Sequence, residues 1–213
     1  MRRMTRRLMP QSGPIPLQTA SERANVTAAT NIREFAAAMS ALQSGRLEEA
    51  ERLLMLTLRG QPKHLAALNL LGVVLGRLGR NAEAIASFDR ALATAADSDE
   101  AWYGRGMTLL AMNRPQQALK SFERVIALKP DLSQVRLLRA RLLVDLDRHD
   151  AALETIDDLI AKSPTLAEAW LGRSNVLFSV ARYGEALSSA RLKAGLCRRL
   201  ASARQCAPRT QAP

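Results

Sequence analysis

Apolar residues recur along this chain at spacings of three and four, as one buried face of an α-helix requires. Leu68, Leu71, Leu75 and Leu78 form one such face, and Gly79-Arg80-Asn81 interrupts it. Ala84, Ile85, Phe88, Ala91 and Leu92 then form a second. The pattern starts again at Trp102, runs to Met112, breaks at Asn113-Arg114-Pro115 and resumes to Leu128. Pro130 ends that stretch, because proline cannot continue a helix and restricts the residue before it. Pro115 stands where the first turn of a helix begins, a place that tolerates proline. The prediction is an all-α chain built from pairs of helices joined by short turns.

The pairs are copies of one unit. Ala50, Ala84, Ala118, Ala152 and Ala186 return at one constant step, and Gly45 and Gly79 begin a column that Asn113, Asp147 and Ala181 continue. Pro62, Pro130 and Pro164 share a phase, with Ala96 in the vacant place. Trp102 and Trp170 lie two periods apart, while Phe88, Phe122 and Ile156 follow one another at single periods. The alanines have a steric reason: helices joined by a short loop cross closely, and a methyl side chain lets the backbones approach. The glycines supply the left-handed conformation that ends a helix. A single hairpin of about 34 residues cannot bury its apolar face, whereas stacked neighbours can.

At this point the chain resembles the tetratricopeptide repeat family over residues 31–195. Asp99 to Leu132 carries Trp102, Gly106, Ala118, Phe122 and Pro130 in the family's places, and the unit from Leu65 supplies Leu71, Gly72, Ala84, Phe88 and Ala91. The first unit departs from the pattern, with Glu34 where an aromatic is usual and Ala38 for the glycine. The resemblance implies a right-handed α-solenoid of about five tandem two-helix repeats. The expected layout is a basic, disordered N-terminal tail over 1–30 and an array over 31–195. Its units fall at 31–64, 65–98, 99–132, 133–166 and 167–195, and a basic C-terminal tail spans 196–213.

Composition agrees with closely packed helices. Hydrophobic residues make up 47% of the chain but aromatics only 4%, so the apolar surface is mostly Ala and Leu. The formal charge of +11 is carried by the ends: residues 1–30 hold +4 and residues 191–213 hold +6, which leaves +1 for the body. A balanced body argues against a specific nucleic-acid surface. The longest apolar stretch, Leu65 to Gly76, is too short to span a bilayer. The Arg-rich start lacks the apolar run of an export signal. Cys197 and Cys206 are the only cysteines, so no disulfide framework is expected, and the expected setting is the cytoplasm.

The resemblance also places a partner. In that family the first helix of each unit builds the inner wall of a groove. One inner column here reads Asn69, Tyr103, Leu137 and Leu171; a second, one helical turn on, reads Val73, Met107, Arg141 and Asn175. A third reads Gly76, Leu110, Val144 and Phe178, and Glu100, Gln134 and Glu168 sit near the helix starts. A mostly apolar wall suits a peptide or protein segment with apolar anchors, although each of these residues is as well explained by packing. Two family specialisations are absent. The places that clamp a chaperone's C-terminal carboxylate hold Asn69, Val73, Gly104, Gln134 and Leu138 in one window, without the paired cations a carboxylate needs. Two other windows fail likewise. The asparagine ladder of O-GlcNAc transferases is replaced by Ala36, Leu70, Gly104, Leu138 and Gly172.

No catalytic constellation, metal site or cofactor is expected. His64 and His149 have no second ligand at metal-binding spacing. Gly104-Arg105-Gly106 lies in a helical stretch and follows no strand, so it is packing and not a phosphate loop. After Ala190 the pattern fails. Residues 191–213 are either a polar cap, with Leu192, Leu196 and Leu200 extending the last helix, or a truncated or frame-shifted end. The first functional expectation is therefore a non-catalytic interaction scaffold. The alternative is the recognition arm of a larger glycosyltransferase-type enzyme, and a weaker third makes the tails an anchor for nucleic acid or anionic lipid.

Overall fold

The computed structural model describes residues 20–206, and side chains over residues 31–198; within them every regular element is an α-helix. The order is α1 (Ala20–Gln43), α2 (Leu47–Gly60), α3 (Leu65–Arg77), α4 (Asn81–Thr94), α5 (Asp99–Ala111), α6 (Pro115–Leu128), α7 (Ser133–Asp145), α8 (His149–Lys162), α9 (Ala167–Ser179) and α10 (Tyr183–Cys206). The second helices start at Leu47, Asn81, Pro115, His149 and Tyr183, one repeat period apart each time, and α3, α5, α7 and α9 keep the same step. Five hairpins follow in register, and each packs on the next: α2 on α3, α4 on α5, α6 on α7 and α8 on α9. The chain is an all-α solenoid of two-helix repeats.

Each hairpin turns on one residue in the left-handed region: Gly45, Gly79, Asn113, Asp147 and Ala181, with φ between 55° and 77°. Two backbone bonds close the turn. The Gly79 N–H donates to the Gly76 carbonyl at 3.1 Å and the Arg80 N–H to the Leu75 carbonyl at 2.9 Å, and the same pair recurs at the other four turns. The residue after the left-handed one is arginine every time: Arg46, Arg80, Arg114, Arg148 and Arg182. Arg80 folds forward onto Glu83, donating from Nε at 2.7 Å and Nη2 at 2.6 Å, and reaches Glu51 of the preceding hairpin at 2.7 Å. Arg46 meets Glu49 and Arg182 meets Glu185 in the same forward geometry.

The alanine column is where the two helices of a hairpin cross. Ala50, Ala84, Ala118 and Ala152 have no exposed surface, and Ala186 is buried. Buried side chains gather in two bodies, one running from Ala38 to Ala101 and the other from Leu109 to Ala186. They meet around α5, where Trp102, together with Ile85 of α4, packs against the second body. Corners between hairpins are tied by side chains. The Trp102 Nε1 donates to the Ala96 carbonyl and the Trp170 Nε1 to the Pro164 carbonyl, both at 2.9 Å. Arg136, one period between the two tryptophans, does the same to Pro130.

The two ends extend past the limits expected from the sequence. Helix α1 begins at Ala20, inside the segment set apart as a disordered tail, because residues 20–30 are Ala-rich and free of Gly and Pro. Residues 1–19 lie outside the described residues. Helix α10 runs through the expected boundary at 195 to Cys206, since no proline appears until Pro208. Leu192 does extend this helix but remains exposed, and the side chain of Leu200 lies outside the described residues.

Candidate functional site

The first helices touch one another, α3 with α5 and α7 with α9, and form the wall that the family resemblance makes the inner one. Apolar side chains left open on it include Val73, Tyr103, Met107, Leu171 and Phe178. Phe178 is the most open at 65% and packs edge-on against Tyr183, with ring centroids 5.3 Å apart. Tyr103 leans on the buried ring of Phe122 at 5.9 Å, which fixes its direction while leaving one side free. Leu110 and Leu137 are half-buried, and Arg141 and Asn175 are exposed.

Asn69 differs from the other groove candidates. It is only 8% exposed, and its Nδ2 donates to Ser98 Oγ at 3.4 Å and to Glu100 Oε2 at 3.3 Å, while Oδ1 has no partner. It is a packing residue that ties α3 to the start of α5. His64 likewise is structural: its Nδ1 accepts the Ala67 N–H at 3.1 Å and caps α3. Ser98 caps α5 through the Ala101 N–H.

Two hollows are sunk in this wall. One, of about 470 Å³, lies between α3 and α5, bounded by Val73, Tyr103 and Met107 with the Phe88 ring at its floor. The other, of about 260 Å³, lies between α7 and α9, bounded by Leu137, Arg141, Leu171 and Asn175 over Ile156. Val73, Tyr103 and Met107, with Gly76 and Glu100, thus gather in one hollow, and Leu137, Arg141, Leu171 and Asn175, with Val144 and Glu168, in the other. Both are open and mostly apolar, suited to receiving side chains, with Glu100 and Glu168 at their rims.

The residues that create these hollows are not among the sequence candidates. Read from the sequence, Gly104 and Gly172 mark the absence of an asparagine ladder, and Gly104 also the absence of a carboxylate clamp and a packing position in a helix. A Cβ on Gly104 would stand 2.4 Å from the Phe88 ring, so the glycine is what lets that ring form the floor. The alternation Leu70, Gly104, Leu138, Gly172 carries the signal. A second feature that sequence reasoning misses is a clasp between hairpins. Arg105 binds Asp89 of the preceding hairpin at 2.8 Å and Ser121 of its own at 3.1 Å, and Arg173 does the same with Asp157 and Ser189. Arg139 repeats it with Glu123 and Thr155. These arginines are taken up by structure and are not available to a ligand.

Family models described as tetratricopeptide repeat match residues 63–131 and 109–176, together more than half the chain. The chain belongs to the tetratricopeptide repeat family. Among solved structures, the array is similar to a crystal structure of MamA protein with a TM-score of 0.75 at 19% identity, covering 87% of this chain and 100% of that one. It is similar to YrrB, a TPR protein with an unusual peptide-binding site, with a TM-score of 0.68 at 19% identity over 84% of this chain and 92% of that one. A tetratricopeptide repeat protein from Parabacteroides merdae gives 0.72 at 20% identity over 81% and 67%. At these identities the likeness is one of fold. No curated protein matches the sequence.

Proposed function

We propose that this array is a non-catalytic protein-interaction scaffold that takes a peptide or an exposed segment of a protein along its concave wall. One observation supports it above the rest. Val73, Tyr103, Met107 and Leu171 remain open to solvent on the inner wall, although the hairpins have already buried the faces they need for packing. Open apolar surface gathered in a concavity is a binding feature more often than a structural one. The partner proposed is not a chaperone's C-terminal carboxylate, because the clamp positions carry no paired cations. A cytoplasmic setting belongs to this reading; among the described residues no helix is long and apolar enough to cross a membrane.

The test is a peptide-display selection on the full chain, with selected peptides then titrated against parent and a Tyr103→Ala/Met107→Ala variant. The reading expects binding to fall about tenfold or more in the variant while its helical spectrum is unchanged. Equal binding to both proteins would overturn it.

A second reading makes the array the recognition arm of a larger glycosyltransferase-type enzyme. Leu187 is 54% exposed, whereas Leu119 and Leu153 at the same repeat position are 5% and 8% exposed beneath the following hairpin, so a further element of any kind packed there would suit this reading. A transferase motif downstream in the gene, in frame or shifted, would support this reading; a downstream sequence without one would remove it.

A further inference from the structure

The two hollows on the inner wall are copies of each other. All but one of the residues lining the hollow between α7 and α9 stand two repeat periods after a residue lining the one between α3 and α5. Two columns explain the doubling. Leu70, Gly104, Leu138 and Gly172 alternate large with absent side chains, and Ala66, Glu100, Gln134 and Glu168 set a carboxylate one helical turn ahead of each glycine only. A Cβ on Gly172 would rest 3.4 Å from Ile156, in ordinary contact, so a side chain can start into the hollow there without a clash at its Cβ. At the interface between them, Leu138 is half-buried against the core and closes the corresponding space. The two open sites thus lie two repeats apart.

Resting on the groove reading above, we propose that the wall takes one extended peptide carrying two large apolar side chains about six residues apart, each with a lysine or arginine about two residues away on the same face of the strand, with one anchor in each hollow. The spacing follows from helix packing. Neighbouring helices lie about 8–10 Å apart, so sites two repeats apart are separated by about 20 Å. An extended chain rises about 3.3 Å per residue and covers that distance in about six. Six is an even number, so both anchors project to the same side of the strand, and the residues between them pass over Leu138. Charge complementarity selects the flanking cation. Glu100 and Glu168 are the charged residues common to both hollows; both are exposed, and Glu100 accepts one bond, from the neutral amide of Asn69. The arginines at the rims, Arg77 and Arg141, stand at non-equivalent repeat positions and define no shared requirement.

Synthetic peptides test this directly. Each carries two leucines, each with a lysine about two residues on, in a glycine–serine background, with the leucines separated by about 4 to about 14 residues; binding to the full chain is read by fluorescence anisotropy. Tightest binding is expected near a separation of six, about tenfold or more above a single-leucine peptide. Gly172→Leu, which copies Leu138, returns binding to the single-leucine level. Glu100→Gln and Glu168→Gln, which copy Gln134 on exposed positions, each weaken the lysine peptide roughly threefold and leave a glutamine version of it unchanged. Four results overturn the proposal: a flat spacing profile, no binding across the series, unchanged binding in both glutamine variants, or an optimum at about twice the expected separation, which the shorter rise of a helical ligand would give. A flat profile with binding still lost in Tyr103→Ala/Met107→Ala removes the two-anchor ligand and keeps the groove.

Discussion

Gly106 in α5 and Phe122 in α6 are fitted to each other: a methyl group on Gly106 would stand 2.8 Å from the Phe122 ring. Gly72 and Phe88 repeat the arrangement one hairpin earlier, at 2.6 Å. At the corresponding places of the fourth hairpin the pair is Ala140 and Ile156, and in the first it is Ala38 and Leu54. The two positions trade volume, so the crossing distance of the hairpin is kept while its contents change. Close-packed interiors require this, because a single added methylene is felt.

The trade can be measured as a cycle. Gly106→Ala alone gains about 1 kcal/mol of helix propensity but overpacks the Phe122 ring, which costs about 1–3 kcal/mol. Overpacking wins, and the variant is expected to lose about 1 kcal/mol. In a Phe122→Ile background, which reproduces the fourth hairpin, the clash is gone and the same substitution should stabilise by about 0.5–1 kcal/mol. Urea denaturation of the four proteins reads the coupling. An equal effect of Gly106→Ala in both backgrounds would show that the pair is not coupled.

The left-handed turn residues make a graded series. Ala181 sits at φ 59° with a Cβ that this region penalises, whereas Asn113 at φ 55° tolerates it better. Ala181→Gly is therefore expected to stabilise the protein by about 0.5–1 kcal/mol, the relief of strain exceeding the entropy glycine adds to the unfolded chain. Asn113→Gly should change stability by less than half of that. Thermal melts of the two variants, compared with parent, test the order; a larger gain at Asn113 would reverse it.

Most of the fold is legible in the sequence because a constant repeat period turns each residue into a column, and a column averages out local ambiguity. Ala118 read alone is an ordinary helix residue; read with Ala50, Ala84, Ala152 and Ala186 it marks the crossing of two helices, and all five are buried. The turn at Ala181 carries no local signal at all, since alanine favours the right-handed helix, and only its column places it. The site is less legible. Asn69 and Tyr103 share a column, yet Asn69 is buried by bonds to Ser98 and Glu100 that depend on the neighbouring hairpin's cap. Helix ends escape a reading guided by composition, because the basic charge of residues 191–206 says nothing against helix and Gly195 alone does not stop one. The column of arginines after each turn stands out only when lined up with Gly45, Gly79 and their successors.

Acid should loosen the hairpin starts. Hydrogen bonds from Arg80 hold the Glu83 carboxyl below its ordinary value, and those from Arg182 do the same for Glu185. A carboxyl with a lowered folded value contributes stability that is present above the ordinary value of 4.5 and is lost as pH falls through the lower folded one. Both groups are exposed, so the effect is screened and modest. The double variant Glu83→Gln/Glu185→Gln is expected to melt slightly below the parent at neutral pH, with the difference shrinking as pH drops below that value. A difference that grows on acidification would contradict the sign.

Tyr103 and Met107 separate binding from folding. Tyr103 is 39% exposed and Met107 41%, and they lie one helical turn apart on α5 over the Phe88 floor. Both are also partly covered, so truncating them to alanine loses packing as well as the contact of Tyr103 with Phe122, which alone is worth about 0.5–1.5 kcal/mol. By contrast, a fully packed residue such as Phe122, with no exposed surface, would cost about 3–5 kcal/mol on truncation. The double variant should therefore keep its helical circular dichroism and lose less melting temperature than Phe122→Ala, while its affinity for a groove-bound peptide falls by about tenfold or more. A melting loss as large as that of Phe122→Ala would assign the pair to the core, and the groove would then have to be drawn around Val73, Leu171 and Phe178 instead.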